Sequence, residues 1–261
     1  MRKNETNRKT PHQNAMFLLL AGSLLLLALL ATLPRGGKPR MDAVPSTEPA
    51  RTEATIPIPA TVPTEQTRPA PDTWNLLLVN PWNKLPDDFS VELKELSGGQ
   101  AVDRRIYPDL QAMMDDARAE GLSPVICSSY RTSEKQQTLY SNKISRLMAA
   151  GCSQTQAEEE AGKWVAVPDT SEHQTGLAVD IVAMDYQILD EDQENTPEQQ
   201  WLMENAHRYG FILRYPQGKS DLTGIYYEPW HYRYVGKEAA AELYETGLCL
   251  EEYLDHYTDI S

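Results

Sequence analysis

The decapeptide Ser171-Glu-His-Gln-Thr-Gly-Leu-Ala-Val-Asp180 joins a loop that carries a histidine to an alternating apolar segment. The alternation predicts a strand over 177–183, with its apolar side chains on one face and Asp180 on the other. A carboxylate inside a buried strand is costly unless it is paired or binds a metal. Asp180 is therefore a candidate metal ligand, and His173, in the loop before the strand, is a second.

A second stretch, Tyr227-Glu-Pro-Trp-His-Tyr-Arg-Tyr-Val-Gly236, supplies a further carboxylate and imidazole. Glu228 and His231 are three residues apart, so in a regular strand they would point to opposite faces. Pro229 lies between them, and a proline in a strand marks an edge or a bulge. The sequence therefore predicts a local twist that directs both side chains to one site.

Together the two stretches contain the residue types of a catalytic zinc site. His173, Asp180 and His231 would bind Zn²⁺ and leave one position open for water. Glu228 would then take a proton from that water and pass it to a leaving amine. A single histidine is more often structural, but the joint pattern favours the metal site.

Composition limits the other functions that the chain can have. The chain has 261 residues, 41% of them apolar, and a net charge of -14. Such an acidic chain is a poor partner for nucleic acid, because phosphate contacts need clustered Lys and Arg. The three cysteines, Cys127, Cys152 and Cys249, form no CxxC pair. We interpret them as idle thiols, although one bridge remains open.

The N-terminal third has the pattern of a membrane anchor and a spacer. Residues 1–15 are polar and basic and are predicted to be a cytoplasmic tail. The uncharged apolar run 16–33 would form a helix about 27 Å long, enough to cross a membrane. A cleaved signal peptide is the alternative. Residues 34–72, rich in Pro and Thr, predict a disordered linker, which places the folded domain 73–261 outside the cytoplasm.

The folded domain is predicted to be α+β, with a mainly antiparallel sheet and flanking helices. Ser133 is predicted to cap one helix, with Gln136 in the capping-box position. The predicted strands are 74–80, 90–96, 124–129, 177–183, 211–215 and 224–235, and 216–223 is a predicted loop. The predicted helices are 107–121, two that follow Ser133 and Ser153, 196–210, and 237–257 with a break at Gly247.

These motifs resemble a known family, the VanY-type D-alanyl-D-alanine carboxypeptidases, which are zinc peptidases of bacterial cell-wall peptides. The resemblance rests on Ser171-x-His-x-x-Gly-x-Ala-x-Asp180 and on Glu228-Pro-Trp-His231 with the residues that follow it. Ser128-Ser-Tyr-Arg131-Thr, with Gln136, is similar to the family's substrate-binding segment, although Thr132 stands where Ser is commoner. The similarity covers about 74–236 and implies a fold of the Hedgehog/D-Ala-D-Ala peptidase kind.

The resemblance implies a role for each motif residue. Zinc would be held by His173, Asp180 and His231, and Glu228 would be the general base and acid. Arg131 would grip the terminal carboxylate of the substrate with its planar guanidinium. Gln136 and Ser171 would add polar contacts to the substrate, although Gln136 can equally be only a helix cap.

Three functions remain open at this point. The first is a membrane-anchored, monomeric zinc carboxypeptidase that removes the terminal D-Ala from peptidoglycan stem peptides. The second is an L,D-carboxypeptidase acting on tetrapeptide stems. The third is a non-catalytic wall-binding domain, which would have no need for the spare carboxylate of Glu228.

Overall fold

A computed structural model of the chain describes residues 74–258. The expected tail, anchor and linker, residues 1–15, 16–33 and 34–72, lie outside this range. Among the described residues, none of the helices combines the length and the apolar character needed to cross a bilayer.

The described residues form an α+β domain with two antiparallel sheets and flanking helices, which confirms the predicted fold class. The strands are β1 (Leu93–Glu95), β2 (Ala101–Asp103), β3 (Pro124–Ser128), β4 (Ala178–Ala183), β5 (Phe211–Leu213) and β6 (His231–Tyr234). The helices are α1 (Tyr107–Ala119), α2 (Ser133–Ala149), α3 (Gln154–Trp164), α4 (Pro197–Asn205), α5 (Ser220–Thr223), α6 (Lys237–Thr246) and α7 (Leu250–Thr258).

The larger sheet has the order β3-β4-β6-β5, and every neighbouring pair in it is antiparallel. Val179, Ile181 and Tyr232 are fully buried on one face, where they pack into the same core as α1 and α4. Asp180, His231 and Arg233 alternate with them, so their side chains project from the opposite face of the sheet. The sheet thus separates an apolar core from a polar site.

A second, smaller core joins the C-terminal helices to the edge of this sheet. Its buried members are Leu76, Ile212, Val235, Ala239, Ala240, Leu243, Leu250 and Tyr253. Burial of each leucine, isoleucine or valine side chain in it stabilises the fold by roughly 1.5–3 kcal/mol. Helices α6 and α7 are consequently held at the β5 edge of the sheet.

The predicted strand 74–80 is absent, and the predicted strand 224–235 is much shorter than expected. Residues 74–80 form a turn of 3₁₀ helix, Trp74–Leu76, followed by irregular backbone. The buried guanidinium of Arg233 donates hydrogen bonds to the Asn75 and Leu77 carbonyls. These carbonyls therefore need no neighbouring strand as a partner. The predicted strand 224–235 is reduced to β6, and the predicted loop 216–223 contains the one-turn helix α5.

The cap of α2 lies one residue earlier than predicted. The Thr132 hydroxyl accepts a hydrogen bond from the Lys135 N–H at 3.2 Å, whereas Gln136 is buried and makes no capping contact. Because an N-cap side chain contributes about 1 kcal/mol, we expect Thr132→Ala to lower the free energy of unfolding by that amount. Ser133→Ala should change it by less than about 0.5 kcal/mol. Urea unfolding of both variants checks this, and a larger loss for Ser133→Ala would contradict it.

All three cysteines are free thiols, as the sequence predicted. Burial raises the pKa of Cys127 to about 12 and that of Cys249 to about 11. These two thiols are therefore protonated at neutral pH and poorly reactive.

Candidate active site

Asp180 and His231 meet because their strands pair. They are register partners across β4 and β6, so their side chains emerge next to each other from the same face of the sheet. His231 Nδ1 lies 3.2 Å from Asp180 Oδ1. A one-residue change of register would separate the two side chains.

A turn brings Glu228 to the same place. The His231 N–H donates to the Glu228 carbonyl at 3.1 Å, which closes a turn through Pro229 and Trp230 immediately before β6. Glu228 Oε2 then lies 3.6 Å from His231 Nδ1. The change of direction predicted at Pro229 is present as this turn.

His173 comes from a single 3₁₀ turn, Glu172–Thr175, that ends at Gly176. A Cβ at Gly176, whose φ is +74°, would lie 2.8 Å from the Asp103 backbone nitrogen, so only glycine fits. His173 Nδ1 lies 2.8 Å from the Ser129 carbonyl oxygen. That acceptor keeps the proton on Nδ1 and leaves Nε2 free to bind a metal.

The three side chains fit a metal ion. One ligand atom from each of His173, Asp180 and His231 can be chosen so that all lie within 4.8 Å of one another. Within residues 74–258, five buried side-chain atoms lack a hydrogen-bond partner, and Asp180 Oδ1, His231 Nε2 and Glu172 Oε2 are three of them. Two imidazoles and one carboxylate are the donor set of a catalytic zinc site.

Near neutral pH the electrostatics of the cluster leave His173 and Asp180 in the protonation state that a metal needs, whereas His231 holds a proton. Burial, with help from Arg131, lowers the pKa of His173 to about 4, so its imidazole is neutral. Burial acts to raise the pKa of Asp180, but the neighbouring imidazoles and Arg131 hold that pKa well below its usual range. For His231, burial acts to lower the pKa, but Asp180 and Glu172 outweigh it and raise the pKa to about 9. A metal at His231 therefore competes with a proton, and its affinity falls as the pH falls.

Glu228 has the protonation behaviour of a general base and acid. Burial raises the pKa of its carboxyl to about 8, and the Asp180 carboxylate adds to the rise. A group with a pKa in this range can accept a proton and return it near neutral pH. Glu228 is adjacent to the cluster and is not one of the three grouped ligands.

Arg131 lies against the metal cluster. Its Nη2 is 2.8 Å from Asp180 Oδ2, and Nε and Nη2 both donate to the Ser128 hydroxyl. Its Nη1 donates to Gln136 Oε1 at 3.3 Å. A bidentate grip on a substrate carboxylate would require the guanidinium to exchange at least one of these contacts.

The other two predicted substrate contacts lie in different surroundings. Ser171 is buried and lines the cavity that holds the metal cluster. Gln136 lies behind Arg131, where its amide nitrogen donates to the Ala166 carbonyl at 2.7 Å. It is not among the residues that line this cavity, so in this structure it supports Arg131.

Glu172, a fully buried acid inside the first motif, belongs to the site but was not predicted from the sequence. Its Oε1 accepts hydrogen bonds from Arg214 and Arg233, each at 2.7 Å, and its Oε2 is 3.5 Å from His231 Nε2. Arg214 in turn makes a bidentate pair with Glu251 of α7 at 2.6 and 2.8 Å. Glu172 thus faces the ring nitrogen of His231 opposite to Nδ1, which is how carboxylates orient metal-binding histidines.

The cluster lines a cavity of about 350 Å³. The aromatic side chains of Trp164, Tyr215 and Trp230 line the same cavity. A cavity of this size with a few convergent polar groups is typical of a small-ligand or peptide-end site.

A buried mononuclear metal centre with a free carboxylate beside it places the site in the class of metallohydrolase centres. A family model described as VanY, D-alanyl-D-alanine carboxypeptidase, matches residues 99–237. The chain belongs to the VanY family, which confirms the resemblance seen in its motifs.

Individual relatives agree with this assignment. A D-alanyl-D-alanine carboxypeptidase of Enterococcus faecalis is 50% identical over 182 residues, which cover 70% of this chain and 66% of that protein. The structure of VanYB in complex with D-alanine-D-alanine is 51% identical, with a TM-score of 0.65, and the match covers 70% of this chain and 98% of that one. The LD-carboxypeptidase LdcB is 35% identical with a TM-score of 0.59, covering 71% and 88% of the two chains.

Proposed function

We propose that the chain is a zinc-dependent carboxypeptidase that removes the C-terminal D-alanine from peptidoglycan stem peptides. The observation that carries the proposal is the joint placement of His173, Asp180 and His231 around one point with Glu228 beside them. A solved VanY D,D-pentapeptidase from a VanB-type resistance cassette, in complex with Zn(II), is 50% identical to this chain. A non-catalytic wall-binding domain would not need Glu228, so the intact set argues against that alternative.

Each residue of the site would have a separate role in the reaction. Bound zinc would supply Lewis acidity that makes a water molecule acidic near pH 7. Glu228 would accept the proton of the attacking water and return it to the leaving amine. Arg131 would hold the terminal carboxylate of the peptide after exchanging one of its protein contacts, and Ser171 would offer a polar contact in the cavity wall.

The test is a comparison of two peptides with the full-length chain in detergent. A stem pentapeptide ending in D-Ala-D-Ala and the corresponding tetrapeptide would be incubated separately, with a chelator, without it, and with zinc restored. We expect loss of one alanine from the pentapeptide only, abolished by the chelator and recovered with zinc, as measured by mass spectrometry.

Other outcomes would select another function. Cleavage of the tetrapeptide would indicate an L,D-carboxypeptidase, the specificity named for LdcB. We favour the D,D activity because identity to VanYB is 51%, against 35% to LdcB. Absence of cleavage with zinc bound would contradict the catalytic proposal.

We also propose that the apolar run 16–33 anchors the chain in the bacterial cell membrane, with the domain on the extracytoplasmic side. The support is the length of the run and the basic residues that precede it. This position would bring the domain to the stem peptides. Membrane fractionation of the whole chain and of a chain lacking residues 1–33 tests it, and equal solubility of both would contradict it.

A further inference from the structure

Helix α2 forms one wall of the cavity that the metal cluster also lines. Its cavity-lining residues follow the i, i+3, i+4, i+7 spacing of one helix face, and they are Leu139, Asn142, Lys143 and Arg146. Two cationic side chains therefore share a cavity with the metal ligands, although the chain as a whole has a net charge of -14.

Neither cation is in a salt bridge within the described part of the chain, at a limit of 4.0 Å. Burial lowers the pKa of Lys143, and the nearby carboxylate of Glu160 acts in the opposite direction. Lys143 is half-buried, with its Nζ 4.4 Å from the ring centroid of Trp164. The Trp164 indole N–H donates to Glu160 at 3.0 Å, so the ring is fixed as a platform beside the ammonium group.

The rise of α2 gives the spacing between these cations and the start of the helix, which contacts Arg131 beside the metal cluster. Gln136, near the start of α2, accepts from Arg131, which contacts Asp180. From Gln136 the helix rises about 10 Å to Lys143 and about 15 Å to Arg146. An extended peptide spans about 3.4 Å per residue, so an anion that reaches these cations lies about three to four residues from the bond at the metal.

We propose that Lys143 and Arg146 form a subsite for a carboxylate that the substrate carries about three to four residues before the bond that is cleaved. This inference rests on the proposed function and specifies the substrate within it. The carboxylate pairs with both cations, while the neighbouring peptide packs on Trp164. A peptide with a free carboxylate at that place is therefore preferred over one with a carboxamide.

The experiment uses the full-length chain with zinc and two stem pentapeptides that differ only at the second residue, which carries a free carboxylate or a carboxamide. Two partly exposed ion pairs are expected to give the carboxylate peptide about a fivefold advantage in kcat/KM. Lys143→Gln combined with Arg146→Gln should abolish that preference. Added salt should weaken the preference in the unaltered chain.

The matched control removes two positive charges outside the cavity. Lys94→Gln combined with Lys135→Gln should keep the preference, since neither side chain lines the cavity. Binding of the two shortened product peptides, measured by calorimetry, gives a second readout that needs no turnover. It should show the same preference in the unaltered chain and its loss in the Lys143/Arg146 variant.

Three results would overturn the inference. The carboxylate preference could survive in the Lys143/Arg146 variant, or it could be absent from both readouts in the unaltered chain. The third is that this variant stops discriminating a terminal carboxylate from a terminal amide, which would make the pair a clamp for the chain end. Failure of the proposed function gives a different result. In that case the carboxylate product peptide would still bind better than the carboxamide one, but no alanine would be released.

Discussion

Replacing Glu228 with glutamine is expected to lower kcat for D-alanine release by about 10³-fold while the chain still binds zinc. The carboxyl has a pKa raised to about 8 by burial and lies 3.6 Å from the His231 nitrogen that faces Asp180. Glutamine has nearly the same shape but cannot take a proton from water. Alanine release by mass spectrometry and zinc content after dialysis are the two measurements.

The matched control for this change is Glu204→Gln, which alters an exposed acid on α4. We expect its rate to equal that of the unaltered chain. Loss of zinc from the Glu228 variant would make Glu228 a ligand instead of a base. An unchanged rate in that variant would remove it from the chemistry altogether.

Replacing Glu172 with glutamine is expected to cost about 3 kcal/mol in the free energy of unfolding and to weaken zinc binding about 10- to 100-fold. Glu172 is fully buried between Arg214 and Arg233, so its neutralisation leaves buried positive charge uncompensated. It also removes the carboxylate that faces His231 Nε2 at 3.5 Å. Urea unfolding with a chelator present measures the first effect, and competition with a zinc indicator measures the second.

Helix α7 supplies the control for this prediction. Glu252 pairs with Lys219 at 2.8 Å, with both side chains more than a quarter exposed. Such a pair contributes less than about 1 kcal/mol, so Glu252→Gln should change the stability little and leave zinc binding unaltered. The buried network has no special role if Glu172→Gln costs no more than Glu252→Gln.

The sequence by itself was sufficient for the fold class and for the residues of the metal cluster. Alternating apolar residues around Asp180 predicted a strand with one polar face, and the structure has that strand as β4. The family motifs pointed to His173 and His231, which the structure brings to the same place. Local spacing and residue type carry this information, because strand alternation and metal-ligand chemistry depend on only a few neighbouring positions.

Local patterns were weaker wherever long-range partners decide the structure. The segment 74–80 has the composition of a strand, yet its carbonyls are bound by Arg233, more than 150 residues away in the chain. The cap of α2 is Thr132 although Ser133 is equally suited by residue type. An N-cap residue needs a non-helical backbone conformation, and the way the preceding loop enters the helix gives that conformation to Thr132 and not to Ser133.

The contacts of Glu172 and Arg131 are visible only in the tertiary structure. Glu172 meets Arg214 and Arg233 across 42 and 61 residues of sequence, and Glu251 completes the network from α7, outside the family-matched segment. Likewise, Asp180 and His231 are neighbours because β4 and β6 pair in one register. Ion pairs and strand registers join residues that are distant along the chain, so their geometry is decided by packing of the whole domain.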